Sequence, residues 1–498
     1  MSFRIRALSF AMTLGAGLSG CAVGPDYKTP AMAIPARWAE REGHRAGRVE
    51  LAAWWERFGD RLLPKLVARA VAGNLDVATA KARVREARAL RDEAAASLLP
   101  DLNASSSAQR SRTAAQAVGF PASTSNLFQA DFDASWDLDL FGGNARSVEA
   151  KDDATEAAAY GLRSTLLTLV ADVARYYVDA RGYQARIALA RQSAASQRQT
   201  VALTEKQFAA GVSTGADLAK ARALALSTEA NVPALESSYR QTVHRLGVLL
   251  GVGPEAVLAD MADPRPLPVP KSSVAVGIPA DVIRSRPDVA QAERQLAEQT
   301  AQVGVEEAQR YPDVTLSGSV GVSAFTLGDI TKASSRTWSF GPSASVPILD
   351  AGKRRAAVTA QKAVRDQYDA AYRAAVLSAM EDVENALVAL SRQRLQTEKQ
   401  GRSADNYNEA ARIARVLYRQ GSTAFLDVLD AERSLYEAQD TFIQNQVSLT
   451  EDYIALFKAL GGNWSGALDV NRPEVVDTIM GPRLRTDKDV HRNFYDRF

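Results

Sequence analysis

Cysteine is almost missing from this chain of 498 residues: Cys21 stands alone, so no internal disulfide can form. Histidine is nearly as scarce, with three in the chain. His44, His244 and His491 are far apart and meet no metal-ligand spacing, and no nucleophile–base constellation accompanies them. The adjacent acidic pairs Asp152-Asp153 and Glu306-Glu307 point to different faces of a helix and read as solvent charge rather than acid–base machinery. Excess charge is lacking too: Lys and Arg total 60 against 58 Asp and Glu, a net +2, so nucleic acid is not the implied partner. After the first 20 residues no apolar run reaches the roughly 20 needed for a membrane-spanning helix. A chain with these absences must hold together by packing or by assembly.

What is present begins with an address. Arg4 and Arg6 precede an apolar stretch that ends in Leu18-Ser19-Gly20-Cys21. A charged start, an apolar middle and a small residue before the cut form a signal peptide over 1–20, with Cys21 as the first mature residue and the site of lipid attachment. The competing reading is a free thiol in an ordinary signal peptide. Several acyl chains hold a protein to a membrane where one is marginal. Ala22, rather than an acidic residue, follows the cysteine, which fits sorting to the outer membrane.

An internal repeat organises the rest. Residues 98–110 (LLPDLNASSSAQR) resemble 310–322 (RYPDVTLSGSVGV), 140–143 (LFGG) answer 349–352 (LDAG), and 208–218 answer 418–428, at offsets of 212, 209 and 210 residues. Near-constant spacing implies duplication. The expected division is an anchored N-terminal segment over 21–59, a first repeat over 60–260, a linker over 261–278, a second repeat over 279–465 and a tail over 466–498. Leu162, Leu166, Leu169, Val173, Tyr176, Ala180, Tyr183, Ile187 and Ala190 step by four and three along one face; Val376, Met380, Val383, Leu387 and Leu390 repeat the pattern. Helices over about 145–210 and 354–420 follow, each about 100 Å long. Returning helices run over about 216–250 and 424–460, with a bend or break expected at Pro233. Shorter helices occupy about 60–97 and 279–310.

Between helices the period drops to two. Phe128, Ala130, Phe132, Ala134, Trp136, Leu138 and Leu140 alternate with residues that include Asp131, Asp133, Asp137 and Asp139. Alternation recurs over 314–322 and 338–348, and weakly over 102–110. Four strands in two hairpins result. The plain reading is a small soluble sheet with one packed face. The membrane reading is that the apolar face meets lipid. An open edge in hydrocarbon leaves peptide groups unpaired, and four strands are too few to close, so copies must pool theirs around a water-filled lumen lined by Asp131, Asp133, Asp137 and Asp139.

Three segments carry a family likeness. Gly20-Cys21-Ala22-Val23-Gly24-Pro25-Asp26-Tyr27, Ile278-Pro279-Ala280-Asp281-Val282-Ile283-Arg284-Ser285-Arg286-Pro287-Asp288-Val289 and Asp427-Val428-Leu429-Asp430-Ala431-Glu432-Arg433-Ser434-Leu435 resemble the outer membrane factor lipoproteins of tripartite efflux systems. The resemblance spans roughly 22–465. It implies a mixed α/β membrane protein, a homotrimer whose twelve-stranded outer-membrane β-barrel continues into a long periplasmic α-helical barrel belted by an equatorial region. It implies no cofactor or metal. It also implies a passive duct served by a periplasmic adaptor and an energised inner-membrane transporter, of the resistance–nodulation–division type in many members.

The hairpin tips carry the functional expectations. Gly211, Val212, Ser213 and Thr214, with Gly421, Ser422 and Thr423, make compact turns suited to docking an adaptor, or simply to turning the chain. Asp427 and Asp430 lie one turn apart near a helix start, and Arg433 is within pairing reach of Asp430. By resemblance, Asp430 and Arg433 match the periplasmic constriction, Tyr418 matches a neighbouring tether, and Asp217 is the first-repeat counterpart of Asp427. Thr423 departs from members that hold a charge there. The alternatives are the duct of a protein-secretion system, a lipid-anchored coiled-coil scaffold and a periplasmic enzyme.

Overall fold

The computed structural model describes residues 22–39, 45–46, 51, 53–114, 122–270, 275–462, 464, 466, 468–478 and 481–484. Cys21, His44 and His491 lie outside them. In chain order the main elements are α1 (Leu63–Gly73), α2 (Leu75–Ala96), β1 (Asp101–Thr113), β2 (Ser123–Asp137), α3 (Gly143–Ala209), α4 (Gly215–Leu249), α5 (Pro279–Ser285), α6 (Pro287–Ala308), β3 (Asp313–Ala324), β4 (Arg336–Ser345), α7 (Lys353–Arg419), α8 (Phe425–Ala459), β5 (Val475–Thr478) and β6 (Gly481–Leu484). The long helices α3 and α7 have 67 residues each, and the return helices α4 and α8 have 35 each. Among the described residues no helix is long and apolar enough to cross a membrane.

Two compact units divide the chain. The first comprises the described parts of Met1–Ala31, Arg83–Ala159 and Gln291–Arg373. Its centre is one antiparallel sheet in the order β1-β2-β3-β4. The register sorts the two faces. Ala104, Phe132, Val320 and Trp338 stand in one row across all four strands; Leu102, Ala134, Gly318 and Phe340 form the next. On the opposite face Asn103, Asp133, Ser319 and Ser339 align, beside Ser105, Asp131, Gly321 and Thr337. Within one chain the apolar rows are bare: Phe132 is 57% exposed, Phe340 72% and Trp338 80%. Gly321 is fixed by its surroundings, since a Cβ there would lie 2.5 Å from the Ala130 carbonyl oxygen and 2.0 Å from the Asp131 carboxylate.

Residues just after Cys21 are fastened to this unit. The Val23 amide donates to the Phe141 carbonyl at 3.1 Å, and Arg146 donates to the Val23 carbonyl at 3.2 Å and to Asp26 at 2.7 Å. Gly24, with φ +93°, packs on Gly304 so closely that a Cβ would lie 2.4 Å from its Cα.

The second unit holds the described parts of Met32–Ala82, Tyr160–Ala290 and Ala374–Phe498. The four-three stripe is its core: Leu162, Leu166, Leu169, Val173, Ala180, Ile187 and Ala190 are buried, as are Val376, Val383, Leu387 and Leu390. A buried Leu of this kind is worth about 1.5–3 kcal/mol. Trp54 is fully buried and stacks on Phe457 at 5.4 Å, with Phe58 and Tyr453 beside it.

Three expectations need correction. The helix expected over 60–97 breaks at Asn74, whose extended backbone ends α1 and whose side chain starts α2 by accepting the amides of Asp76 and Val77. The helix expected over 279–310 breaks at Arg286, because Pro287 forces the preceding residue out of the helical region. Conversely, α4 runs through Pro233 without a break.

Both breaks do work. The Asn74 side-chain Nδ2 donates to the Leu249 carbonyl at the end of α4 at 2.9 Å, and Gly251, with φ +68°, lies where a Cβ would be 1.9 Å from the Gly73 carbonyl oxygen. Arg286 makes the matching joint: it pairs with Asp288 at 2.7 Å and Asp382 at 2.8 Å, and donates to the Ala459 carbonyl at 3.0 Å at the end of α8. Burial raises the Asp288 carboxyl, but the Arg286 guanidinium outweighs it and its pKa is lowered. Replacing Arg286 by Lys loses the forked geometry. Arg286→Lys is expected to lower unfolding stability by on the order of 2 kcal/mol in denaturant titration; an unchanged midpoint would show the joint to be dispensable.

Candidate functional site at the helix tips

The two hairpin tips are built alike. Each long helix ends in a glycine at φ +72°, Gly211 after α3 and Gly421 after α7, a backbone region that side chains with a Cβ avoid. The chain then folds back on the last turn: Val212 donates to the Gln207 carbonyl at 2.8 Å, and Ser422 to the Leu417 carbonyl at 2.9 Å.

The restarts differ. Thr214 caps α4 with a reciprocal pair, the Asp217 amide reaching its hydroxyl at 3.2 Å and the Thr214 amide reaching the Asp217 carboxylate at 3.2 Å. The Thr214 hydroxyl also donates to that carboxylate at 2.6 Å and holds its pKa below the usual range. At the second tip Ala424 occupies the cap and offers no side chain; Thr423, one residue earlier, hydrogen-bonds to Asp427 instead.

Asp430 and Arg433 form an exposed pair at 3.6 Å. Tyr418 is buried. Its hydroxyl meets that of Thr204 on α3 at 3.2 Å, and its ring packs with Phe425, Val428 and Ala221. The sequence reading passed over Glu432, whose side chain is only 2% exposed and receives Arg415 at 2.9 Å and Thr200 at 2.8 Å. Its flanks in the Asp427–Leu435 phrase drew notice; a charged residue on the buried side of a helix was the available signal.

The acidic set on the sheet divides. Asp131 and Asp133 lie on the polar face within β2. Asp137 ends β2 and accepts from the Asn144 side chain at 3.0 Å. Asp139 is past the strand, at φ 45°, with its carboxylate taking the amides of Asn144 at 2.9 Å and Ala145 at 2.8 Å at the start of α3. The adjacent acids form joints between helices: Asp152 pairs with Arg91 at 2.9 Å, Asp153 with Arg294 at 3.0 Å and Glu307 with Lys362 at 2.9 Å. Among the described residues no group of His, Cys, Asp and Glu is arranged to hold a metal ion.

A lipid-scale sheet, two pairs of very long helices and glycine-turned tips have known counterparts. The sequence profile described as "Outer membrane efflux protein" matches residues 66–252 and again 278–462. The chain belongs to the outer membrane efflux protein family. Nodulation protein T of Rhizobium leguminosarum bv. trifolii is 37% identical over 452 residues, covering 90% of this chain and 96% of that protein. Outer membrane protein OprJ of Pseudomonas aeruginosa is 30% identical, covering 93% and 96%. The outer-membrane channel OprN superposes with a TM-score of 0.85 at 36% identity, over 89% of this chain and all of the other. This efflux protein is thus a channel of the outer membrane and not an enzyme.

In this efflux protein Thr214→Ala removes one cap, a loss of about 1 kcal/mol. Hydrogen exchange at the first amides of α4 should speed up about fivefold at neutral pH. Because the Asp217 pKa is lowered in the folded state, its share is complete above the ordinary carboxylate pKa and disappears as pH falls through the lowered value. Equal exchange in both proteins would show the cap to be idle.

Proposed function

We propose that the chain is a passive exit duct of a tripartite efflux pump, working as a lipid-anchored homotrimer and gated at the helix tips. The observation that carries the reading is the sheet. Its strands of 13, 15, 12 and 10 residues are long enough to cross a bilayer when tilted, one face is apolar and bare, and the outer edges of β1 and β4 have no strand beside them among the described residues. In hydrocarbon those edges need partners, and a second copy offers β4 to β1. Three copies make twelve strands, an even number within the known range.

The equal lengths of α3 and α7 and of α4 and α8, with the double profile match, support an internal duplication. Anchorage at Cys21 is supported by the lipoprotein-type leader and by the tether of Val23, Gly24 and Asp26 to the sheet unit. Asp131 and Asp133 then face the aqueous lumen. Tips closed by glycine turns receive the adaptor through residues 211–214 and 421–423. The inner-membrane transporter, of the resistance–nodulation–division type in this reading, supplies energy and selects cargo. Asp427 and Asp430, tripled by symmetry, form the constriction: rings of carboxylates that attract cations and resist narrowing. Arg433 partly neutralises Asp430, and Tyr418 holds the second hairpin to α3.

Single-channel recording from trimers in planar bilayers tests the gate. Asp430→Ala is expected to weaken block by multivalent cations at least tenfold and to alter resting conductance. Unchanged conductance and unchanged block would remove the gate from the tip.

A further inference from the structure

Within the second unit α3 and α8 run antiparallel, and three successive contacts define their joint. Arg186 of α3 grips Asp440 of α8 through two bonds, at 2.7 and 3.0 Å. One turn back along α3, Gly182 leaves a notch for Val447; a Cβ on Gly182 would lie 2.5 Å from the valine Cγ2. One turn further back, Asp179 meets Glu451 within hydrogen-bond reach. This last contact joins two partly buried acids. Two other charged groups act on the pair. Arg175, one turn earlier on α3, attracts both carboxylates, and Asp452, beside Glu451 on α8, repels it. The Arg175 guanidinium also stands 4.8 Å from the centre of the Tyr176 ring, and Arg245 of α4 stands 6.0 Å from the same ring. Burial raises the pKa of Asp179 and Asp452. Glu451, raised by burial and by the charge of Asp179, reaches about 7.

We propose that Glu451 and Asp179 form a proton-closed clamp between α3 and α8: a protonated Glu451 donates to the Asp179 carboxylate, and loss of that one proton sets two carboxylates against each other across the joint. The clamp lies about 40 Å along α8 from its start and is independent of any gate at the tips. Two carboxyls this close do not both ionise without cost, and they titrate as a unit. Val447 in the Gly182 notch keeps the two backbones near each other, so the pair has little room to part. Arg175 is one cation facing two carboxylates and neutralises only one of them. The proton neutralises the other. Because the folded chain keeps that proton to a higher pH than the unfolded chain, the clamp contributes most below the ordinary carboxylate pKa. It weakens as pH rises to about 7. The sign is opposite to that of the Asp217 cap and the Arg286–Asp288 joint, whose carboxyls have lowered pKa values and lose their share in acid. The α3–α8 joint is thus the part of the helical body that acid tightens.

Glu451→Gln tests the clamp, because its amide can donate to Asp179 at every pH. In thermal unfolding of the full chain in detergent, the variant should unfold about 3 °C above the parent near pH 8 and within about 1 °C of it near pH 5. Asp179→Asn should show the same pattern. A gap between parent and Glu451→Gln that is equal at both pH values, or a variant less stable than the parent in alkali, would overturn the clamp. Infrared difference spectra read the proton itself. Between the same two pH values the parent should lose a protonated-carboxyl stretching band, and Glu451→Gln should lack that change. A band that persists unaltered in the variant would assign the proton to another group and overturn the proposal.

Discussion

Backbone hydrogen bonding at the edges of one sheet governs the molecule. A four-stranded sheet with Phe132, Val320, Trp338 and Phe340 on one face is unfit for water on that side, and its free edges are unfit for lipid. Neither problem has a solution within a single chain. In the proposed assembly, association through β1 and β4 answers both, and a passage results only if the other face is polar, because a closed ring encloses something. Asn103, Asp131, Asp133, Ser319 and Ser339 supply that face.

Long helices pose the opposite problem. A helix of 67 residues has ample internal hydrogen bonds and little reason to stay beside its neighbour except along its buried stripe. The chain fixes register at a few polar joints. Asn74 and Arg286, at matching breaks in the two halves, each reach the last carbonyls of a return helix. Glycines make the approach possible at Gly73 and Gly251, where the backbones are too close for any side chain. The two joints use different chemistry, an amide in one half and a guanidinium with two carboxylates in the other. The two joints are therefore alike in where the backbone breaks and different in the side chains that close them.

Periodicity made most of this legible. The 4,3 stripe and the period of two located the long helices and the strands to within a few residues, because each long helix buries one stripe and each strand sorts apolar and polar residues to opposite faces. The interruptions were harder. Asn74 and Arg286 lie inside helical patterns, yet the helix ends at each for a local reason: Asn74 caps α2 with its own side chain, and Pro287 forces Arg286 out of the helical region. Of the bend or break expected at Pro233, the break does not occur: a single missing donor does not end a 35-residue helix. Asp139 continued an alternating pattern past the point where the strand had ended, since its value lies in capping α3 and not in facing the sheet. Glu432 showed only its place on the buried side of α8 and not what it meets there. Its partners come from helices 17 and 232 positions away.

The unequal tips bear on how a duct of this design opens. A hairpin that must move needs a restart that tolerates displacement, and one that anchors needs a fixed start. Thr214 and Asp217 cap each other reciprocally, so rotating the start of α4 breaks bonds in both directions. At Ala424 the side chain contributes nothing, and Thr423 reaches Asp427 from outside the helix, a contact that can follow α8 as it turns. The firmer cap thus belongs to the first hairpin. The second carries the exposed Asp427 and Asp430, so the half with the carboxylates of the proposed constriction is also the half whose helix start is least constrained. In the proposed gating, displacing the start of α8 breaks fewer capping bonds than displacing the start of α4.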